Sequence, residues 1–329
     1  MSARPRWSPL ALLLGAALVA GCGSSDDDTA TAPPTQPAAT ASAEDFPSAK
    51  GKTLGDLQGS IAEGPVLAPA VSILKPGRNR FAFALFDRAR KQVSGAQVAV
   101  YVSRTDGSRL RGPFVARDES LVVKPQFRSR QTATDQDSTK SVYVADVDLP
   151  SKGNVALMAV ARLDGRLLAT SPYGSKLTQR TTAGPPDVGD KAPVIHTLTR
   201  GDVGGDLAKI DTRIEPIPAF HEVDFADVVG RKPVVLVFAT PQLCASRVCG
   251  PTVDVAYQVS NGVGDRVDFI HQEIYNDNQI NKGFRPQVGQ FRLASEPWTF
   301  VVGSDGRIAS RFEGAMSVGE LERAVAKVK

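Results

Sequence analysis

Val234-Val235-Leu236-Val237-Phe238-Ala239-Thr240-Pro241-Gln242-Leu243-Cys244-Ala245-Ser246-Arg247-Val248-Cys249-Gly250-Pro251 joins a buried-strand signal, a turn and a close cysteine pair. A continuous apolar run from Val234 to Phe238 suits a strand covered on both faces of a sheet. Pro251 suits the first turn of a helix, and Val255 and Val259 lie four apart on the helix that follows. Were Cys244 to Cys249 all helical, their Cα atoms would sit about 7.5 Å apart along the axis, with side chains roughly 140° apart. That is beyond disulfide reach. An oxidised pair therefore requires Cys244 in the loop and a helix that starts near Cys249 or Pro251. Cys249 then lies close to a helix N-terminus, where free N–H groups and the macrodipole favour a thiolate, and Arg247 adds a nearby cation.

Beyond this segment, Val267, Phe269 and His271 alternate with Asp268 and Ile270, which predicts a second strand. Trp298–Val302 and Ile308–Phe312 flank Gly303-Ser304-Asp305-Gly306-Arg307, a hairpin signal. Ser317-Val318-Gly319-Glu320 is a capping box for a last helix with Leu321, Val325 and Val328 on one face. The order is strand, helix, strand, antiparallel hairpin, helix. Thr181-Thr182-Ala183-Gly184-Pro185-Pro186 marks a boundary upstream.

From 54 to 180 the period is two. Phe81, Phe83 and Leu85, then Val98, Val100 and Val102, then Tyr143, Ala145, Val147 and Leu149 each fall on alternate positions. Asp164-Gly165 between Asn154–Leu163 and Leu167–Thr170 is a hairpin turn. This predicts an all-β, immunoglobulin-like sandwich. The stretch from Asp106 to Lys140 is polar and reads as long solvated loops around a short strand at Ser120–Val123.

Residues 1–21 read as an export signal, with Arg4 and Arg6 before a short apolar run from Leu10 to Ala20. That run is shorter than the roughly 20 residues a spanning helix needs. Val19-Ala20-Gly21-Cys22 resembles a bacterial lipobox, which implies cleavage before a lipid-modified Cys22. Residues 22–53 are rich in Ser, Thr, Ala, Pro and Asp and read as a flexible tether. The expected location is the extracytoplasmic face of the cell membrane, where a close cysteine pair can stay oxidised. The net charge of +4 falls to +2 without Arg4 and Arg6, too weak a bias for a nucleic-acid partner. There is no P-loop, dinucleotide fingerprint or zinc signature, so no cofactor is expected.

Four features in order carry a family resemblance. Val188-Gly189-Asp190-Lys191-Ala192-Pro193 is similar to the segment that opens thioredoxin-like and peroxiredoxin-like extracytoplasmic domains. Val234–Cys249 resembles their active-site motif, Glu296-Pro297-Trp298-Thr299-Phe300-Val301-Val302 their cis-proline strand, and Gly303–Ile308 the hairpin after it. The resemblance covers about 186–329 and implies an α/β thioredoxin-like domain after the β domain. It also implies a membrane-anchored thiol–disulfide oxidoreductase with Cys244, Cys249 and Pro297 at its site. A cis Pro297 would leave the Glu296 carbonyl to dock a substrate strand. Protein thiols or disulfides, or an upstream electron donor, are the implied partners. By spacing from Phe238, Cys244 matches the attacking cysteine of thioredoxins, whereas helix placement favours Cys249; both assignments stand at this point.

The motif also departs from the family. Four residues separate the cysteines instead of two, and Leu243 stands where thioredoxins usually carry tryptophan. Ser246, three before Cys249, fits a peroxiredoxin-like peroxidase instead. Sco-type copper proteins suggest a copper carrier with Cys244, Cys249 and His271 as ligands, though a hydrogen-bonded strand histidine is the simpler reading of His271. A partner-binding lipoprotein whose pair is a structural disulfide is the remaining alternative. His196 and His221 show no ligand spacing.

Overall fold

Ten strands build the first sheet of the computed structural model, which describes residues 41–178 and 184–328. The export signal, Cys22, most of the tether and part of the 181–186 boundary lie outside the described residues. The strands are β1 (Ala62–Glu63), β2 (Val66–Pro69), β3 (Gly77–Phe86), β4 (Gln92–Val93), β5 (Gln97–Arg104), β6 (Arg111–Ser120), β7 (Ser141–Leu149), β8 (Asn154–Leu163), β9 (Arg166–Ala169) and β10 (Tyr173–Lys176). Their order is β1-β9-β8-β5-β6-β7-β3-β2, with β10 on β8 and β4 on β3. The hydrogen-bonded ladder is one continuous curled sheet, where the sequence reading expected two packed sheets. The Asp164-Gly165 turn is as expected, both residues having positive φ (48° and 74°) between β8 and β9.

Alternation along β5 shows how the sheet is covered. Val98, Val100 and Val102 enter one core with Phe81, Leu85 and Val144. Ala99 and Tyr101 enter another with Met158 and Val160. The second core is closed by Phe46 and by Leu54 and Leu57 of helix α1 (Leu54–Gly59). Sequence reading missed β6 because it carries Arg117, Asp118 and Glu119. These charges are tolerated because Arg117 pairs with Asp146 and Glu119, while Glu119 also accepts from the Ser317 hydroxyl at 2.6 Å. After β6 come a short helix, α2 (Arg130–Thr134), and an irregular segment that leads into β7.

The second sheet has four strands, β11 (Val234–Phe238), β12 (Asp268–Gln272), β13 (Trp298–Val302) and β14 (Ile308–Glu313), in the order β12-β11-β13-β14. β11 and β12 are parallel, and β13 and β14 run antiparallel. After α3 (Phe225–Val228), α4 (Cys249–Val263) carries the crossover from β11 to β12; α5 (Pro286–Gln290) and α6 (Val318–Val325) follow. This is the expected strand-helix-strand-hairpin-helix order and a thioredoxin-like topology. The capping box of α6 is present, Ser317 accepting from the Glu320 N–H at 3.1 Å.

All five residues of β11 are buried. Val235 and Val237 face α4 and α6 through Val253, Val259 and Leu321. Val234, Leu236 and Phe238 face Ile195, Phe225, Phe291 and Phe300. Helices α4 and α6 thus cover one side, and the short helices α3 and α5 with irregular chain cover the other, which is why the run is apolar without alternation.

The side bearing α4 is continuous with the core of the first sheet. Polar links join the same parts: Arg80 to Glu320 at 2.7 Å, Lys75 to Asp187 at 2.6 Å, and the Ser72 N–H to Glu313 at 2.8 Å. Gly314, at φ +74°, lies where a Cβ would collide with the Ala70 carbonyl oxygen, so glycine allows both the turn and the close approach.

Candidate functional site

The end of β11 delivers the chain into a tight loop. The Leu243 N–H donates to Thr240 O at 3.2 Å, and the Arg247 N–H to Cys244 O at 3.2 Å, with Arg247 at φ +56°. α4 then starts at Cys249. Cys244 therefore sits in the loop and Cys249 at the helix start, the arrangement the spacing argument required of a pair able to oxidise. Both thiols are free, Cys244 being 8% exposed and Cys249 fully buried. The two sulfurs and a carboxylate oxygen of Glu296 all lie within 4.8 Å of one another. Pro297, whose peptide bond with Glu296 is cis, is buried beside them.

The electrostatics separate the two thiols. Cys244 is lowered to about 6, first by the Cys249 thiol and, against the cost of burial, by the Ser246 hydroxyl and the backbone N–H groups of Cys249 and Val248. Its Sγ lies 3.2 Å from Ser246 Oγ. Cys249 is pushed well above an ordinary thiol, by burial and then by the adjacent Cys244 charge. The helix start thus serves Cys244, contrary to the placement argument that favoured Cys249. Arg247 does not act as the expected cation, because its guanidinium turns to Asp135 at 2.6 Å and Asp137 at 3.8 Å. Glu296 is raised to about 7 by burial, then by the charges on Cys244 and Glu273, and its Oε2 is buried without a hydrogen-bond partner.

His271 does not join this group. Its Nε2 lies 3.0 Å from Ala239 O, and its Nδ1 lies 3.3 Å from Asp211 Oδ1. Asp211 Oδ2 meets His221 Nε2 at 3.1 Å. These three buried side chains form a second cluster with donor atoms within 4.8 Å of one another. The copper set of Cys244, Cys249 and His271 is therefore not assembled, since β12 turns the imidazole toward Asp211. By reach alone, the cysteines with Glu296 suit a soft ion, and Asp211 with the two histidines suits zinc. His271 Nδ1 faces Asp211 as an ion pair when the imidazole is charged, but Nδ1 of both His221 and His271 is buried without a hydrogen-bond partner. Sequence reading missed Asp211 and His221 because they are separated in the chain and lie outside any strand. His196, by contrast, is exposed, with Nδ1 2.7 Å from Asp224.

A pH dependence follows from this cluster. Burial alone would lower His271, but the Asp211 carboxylate beside it outweighs that and carries the imidazole up to about 9. Burial would raise Asp211, yet His271 and then His221 hold it well below the usual carboxylate range. The folded value of His271 exceeds its unfolded value near 6.5. Its stabilisation is therefore complete below about 6.5 and is lost as pH rises through about 9. The Asp211 contribution is lost only in acid, below the unfolded carboxylate value. The melting temperature should therefore fall as pH rises from about 6.5 to about 9, and Asp211→Asn should flatten the fall. An equal slope in wild type and variant would show that another group is responsible.

The first sheet closes over the cysteine loop. Gln131, Thr132, Asp135 and Ser138, between β6 and β7, line a cavity of about 630 Å³ with Leu243, Cys244, Arg247 and Gly250. The expected solvated loop is instead a wall of the site. Of the insertion between β12 and Pro297, Ile280 reaches this cavity. Lys282 pairs with Asp277 at 2.9 Å, and Arg285 is buried against Tyr275 O and Lys209 O. A second cavity of about 1010 Å³ lies on the other side of the loop, lined by Ala245, Ser246, Glu296, Glu313 and Ala68–Ser72.

No family model matches the chain, and no curated protein matches it. Among solved structures it is similar to a thiol:disulfide interchange protein of the thioredoxin family from Chlorobium tepidum TLS. The identity is 13% and the TM-score 0.31, covering 43% of this chain and 97% of that chain.

Proposed function

We propose that this chain is a thiol–disulfide oxidoreductase in which Cys244 attacks and Cys249 resolves. The observation that carries the reading is the contrast between the two neighbouring thiols. Cys244 lines an open cavity, with a lowered pKa and donors at its sulfur. Cys249 is fully buried and keeps its proton. A thiolate near ambient pH is the effective attacking species, and a neighbouring thiol held in reserve completes the exchange. The thioredoxin-like topology supports the same reading. The lipobox-like Val19–Cys22 supports a lipid anchor outside the cytoplasm, with 22–53 as the tether.

In the exchange, Cys244 Sγ forms a bond to one sulfur of a substrate disulfide, whose other sulfur leaves as a thiolate. Cys249 then loses its proton and attacks Cys244 Sγ, which breaks the mixed disulfide and releases the second thiolate. The pair gives up two electrons and the substrate accepts them; the Cys249 proton ends on one released thiolate, and the other takes its proton from solvent. Ser246 favours this reading over a peroxidase, because its hydroxyl serves Cys244 and not Cys249.

Iodoacetamide labelling of the reduced protein across pH, read by mass spectrometry, tests the proposal. Cys244 should label with an apparent pKa near 6 and Cys249 should resist until alkaline pH. Labelling of Cys244 that follows an ordinary thiol value of about 8.5 would remove its support.

A further inference from the structure

We infer that the substrates are low-molecular-weight disulfides, selected by the wall that the first sheet places over Cys244. This rests on the exchange reading and adds a substrate class to it. Cys244 is 8% exposed and lies in the cavity of about 630 Å³, within the range of small-molecule sites. Two separate parts of the chain build that cavity. One side is the cysteine loop, through Pro241–Ala245 and Arg247; the other is the α2 segment, through Gln131, Thr132, Asp135 and Ser138.

Several contacts hold the wall in place. The Ile214 N–H donates to Gln131 Oε1 at 2.7 Å, and the Ser129 N–H donates to Asp254 of α4 at 3.1 Å. Arg130 pairs with Glu215 at 2.8 Å, and Arg247 reaches back from the cysteine loop to Asp135. On the helix side, a Cβ at Gly250 would lie 3.0 Å from Thr132 Oγ1, so glycine lets the wall approach the start of α4 closely. Exposed Ile280 marks the rim.

A disulfide held rigidly on a folded surface must bring its flanking backbone up to the attacked sulfur. Here that backbone meets α2 and Ile280 before the sulfurs come into line. A compact disulfide enters without displacing either. The electron balance is that of the exchange above, two substrate thiols forming as Cys244 and Cys249 become a disulfide.

The test compares hydroxyethyl disulfide with native insulin as oxidants of the reduced protein. Each rate is divided by the rate of the same disulfide with free dithiothreitol, which removes intrinsic reactivity. The normalised insulin rate should be lower by about tenfold or more, the rate equivalent of about 1.4 kcal/mol in barrier. Asp135→Ala/Asp137→Ala, which removes the acids facing Arg247, should narrow that gap by speeding insulin. Ile280→Trp, at an exposed rim position, should slow hydroxyethyl disulfide. Equal normalised rates in the wild type would overturn the inference and leave the exchange reading intact. Failure of both disulfides to oxidise the pair would instead overturn the exchange reading, and the inference with it.

Discussion

Cys249→Ser should convert the protein into a trap, accumulating a stable mixed disulfide at Cys244 with a loss of turnover by orders of magnitude. The reason is the division of labour at the loop. Cys244 keeps Ser246 and the backbone N–H groups at the start of α4, so attack on the substrate persists. The largest influence on its pKa, the Cys249 thiol, is replaced by a serine hydroxyl, which still donates. What disappears is the second sulfur, and the intermediate has no intramolecular exit. Cys244→Ser should abolish the first step and leave Cys249 unreactive, because Cys249 is fully buried. Intact-mass spectrometry after oxidation by hydroxyethyl disulfide distinguishes the two: one adduct on Cys249→Ser, none on Cys244→Ser. An adduct on Cys249 in the Cys244→Ser protein would reverse the assignment of roles.

The asymmetry of the pair shows where sequence reading reaches its limit. β11 was legible because both its faces are buried, and its five apolar residues record that directly. The hairpins at Asp164-Gly165 and Gly303–Arg307 and the capping box of α6 were legible because backbone geometry dictates the residues locally. The placement of Cys244 in the loop followed from helix geometry together with the requirement that the pair be able to form a disulfide. The role of each cysteine did not, since it depends on where Ser246, Glu296 and the α4 N–H groups point. Arg247 illustrates this: chain proximity suggested a cation for Cys249, but the side chain is taken by Asp135, more than a hundred residues earlier. The α2 segment read as solvated because it is polar. Its polar groups find partners in Asp254, Glu215 and the Ile214 N–H. β6 was hidden in the same way by charges that find partners across the sheet. Asp211 and His221 had no local signal, because a buried charged cluster is assembled from distant segments.

Arg213→Met should be among the most destabilising single substitutions in the chain, at about 3–5 kcal/mol, the cost of breaking a buried ion pair from one side. Arg213 is 5% exposed, and its Nε donates to Asp254 of α4 at 2.9 Å. Nη2 donates to Phe127 O at 2.9 Å, Nη1 donates to Glu215 O, and the guanidinium packs over the Tyr257 ring at 5.5 Å. Burial raises Asp254 even with Arg213 beside it. Without the cation the carboxyl would be forced toward its neutral form, and two carbonyls would lose their donor. Methionine preserves most of the volume, so the expected loss is electrostatic and not a cavity. At the usual enthalpy of a large domain this lowers the melting temperature by roughly 10 °C. Arg213→Met/Asp254→Leu should recover much of it, since the paired apolar replacement leaves no buried charge. A single variant that costs under about 1 kcal/mol would mean the pair is solvated and contributes like a surface bridge. The position also carries a functional consequence. Arg213 bonds the Phe127 carbonyl just before α2 and the helix that starts at Cys249, so its loss should loosen the wall over Cys244. In Arg213→Met, the normalised insulin rate should rise relative to hydroxyethyl disulfide below the melting transition. Destabilisation with an unchanged rate ratio would separate the fold's need for Arg213 from any part it has in access to the thiol.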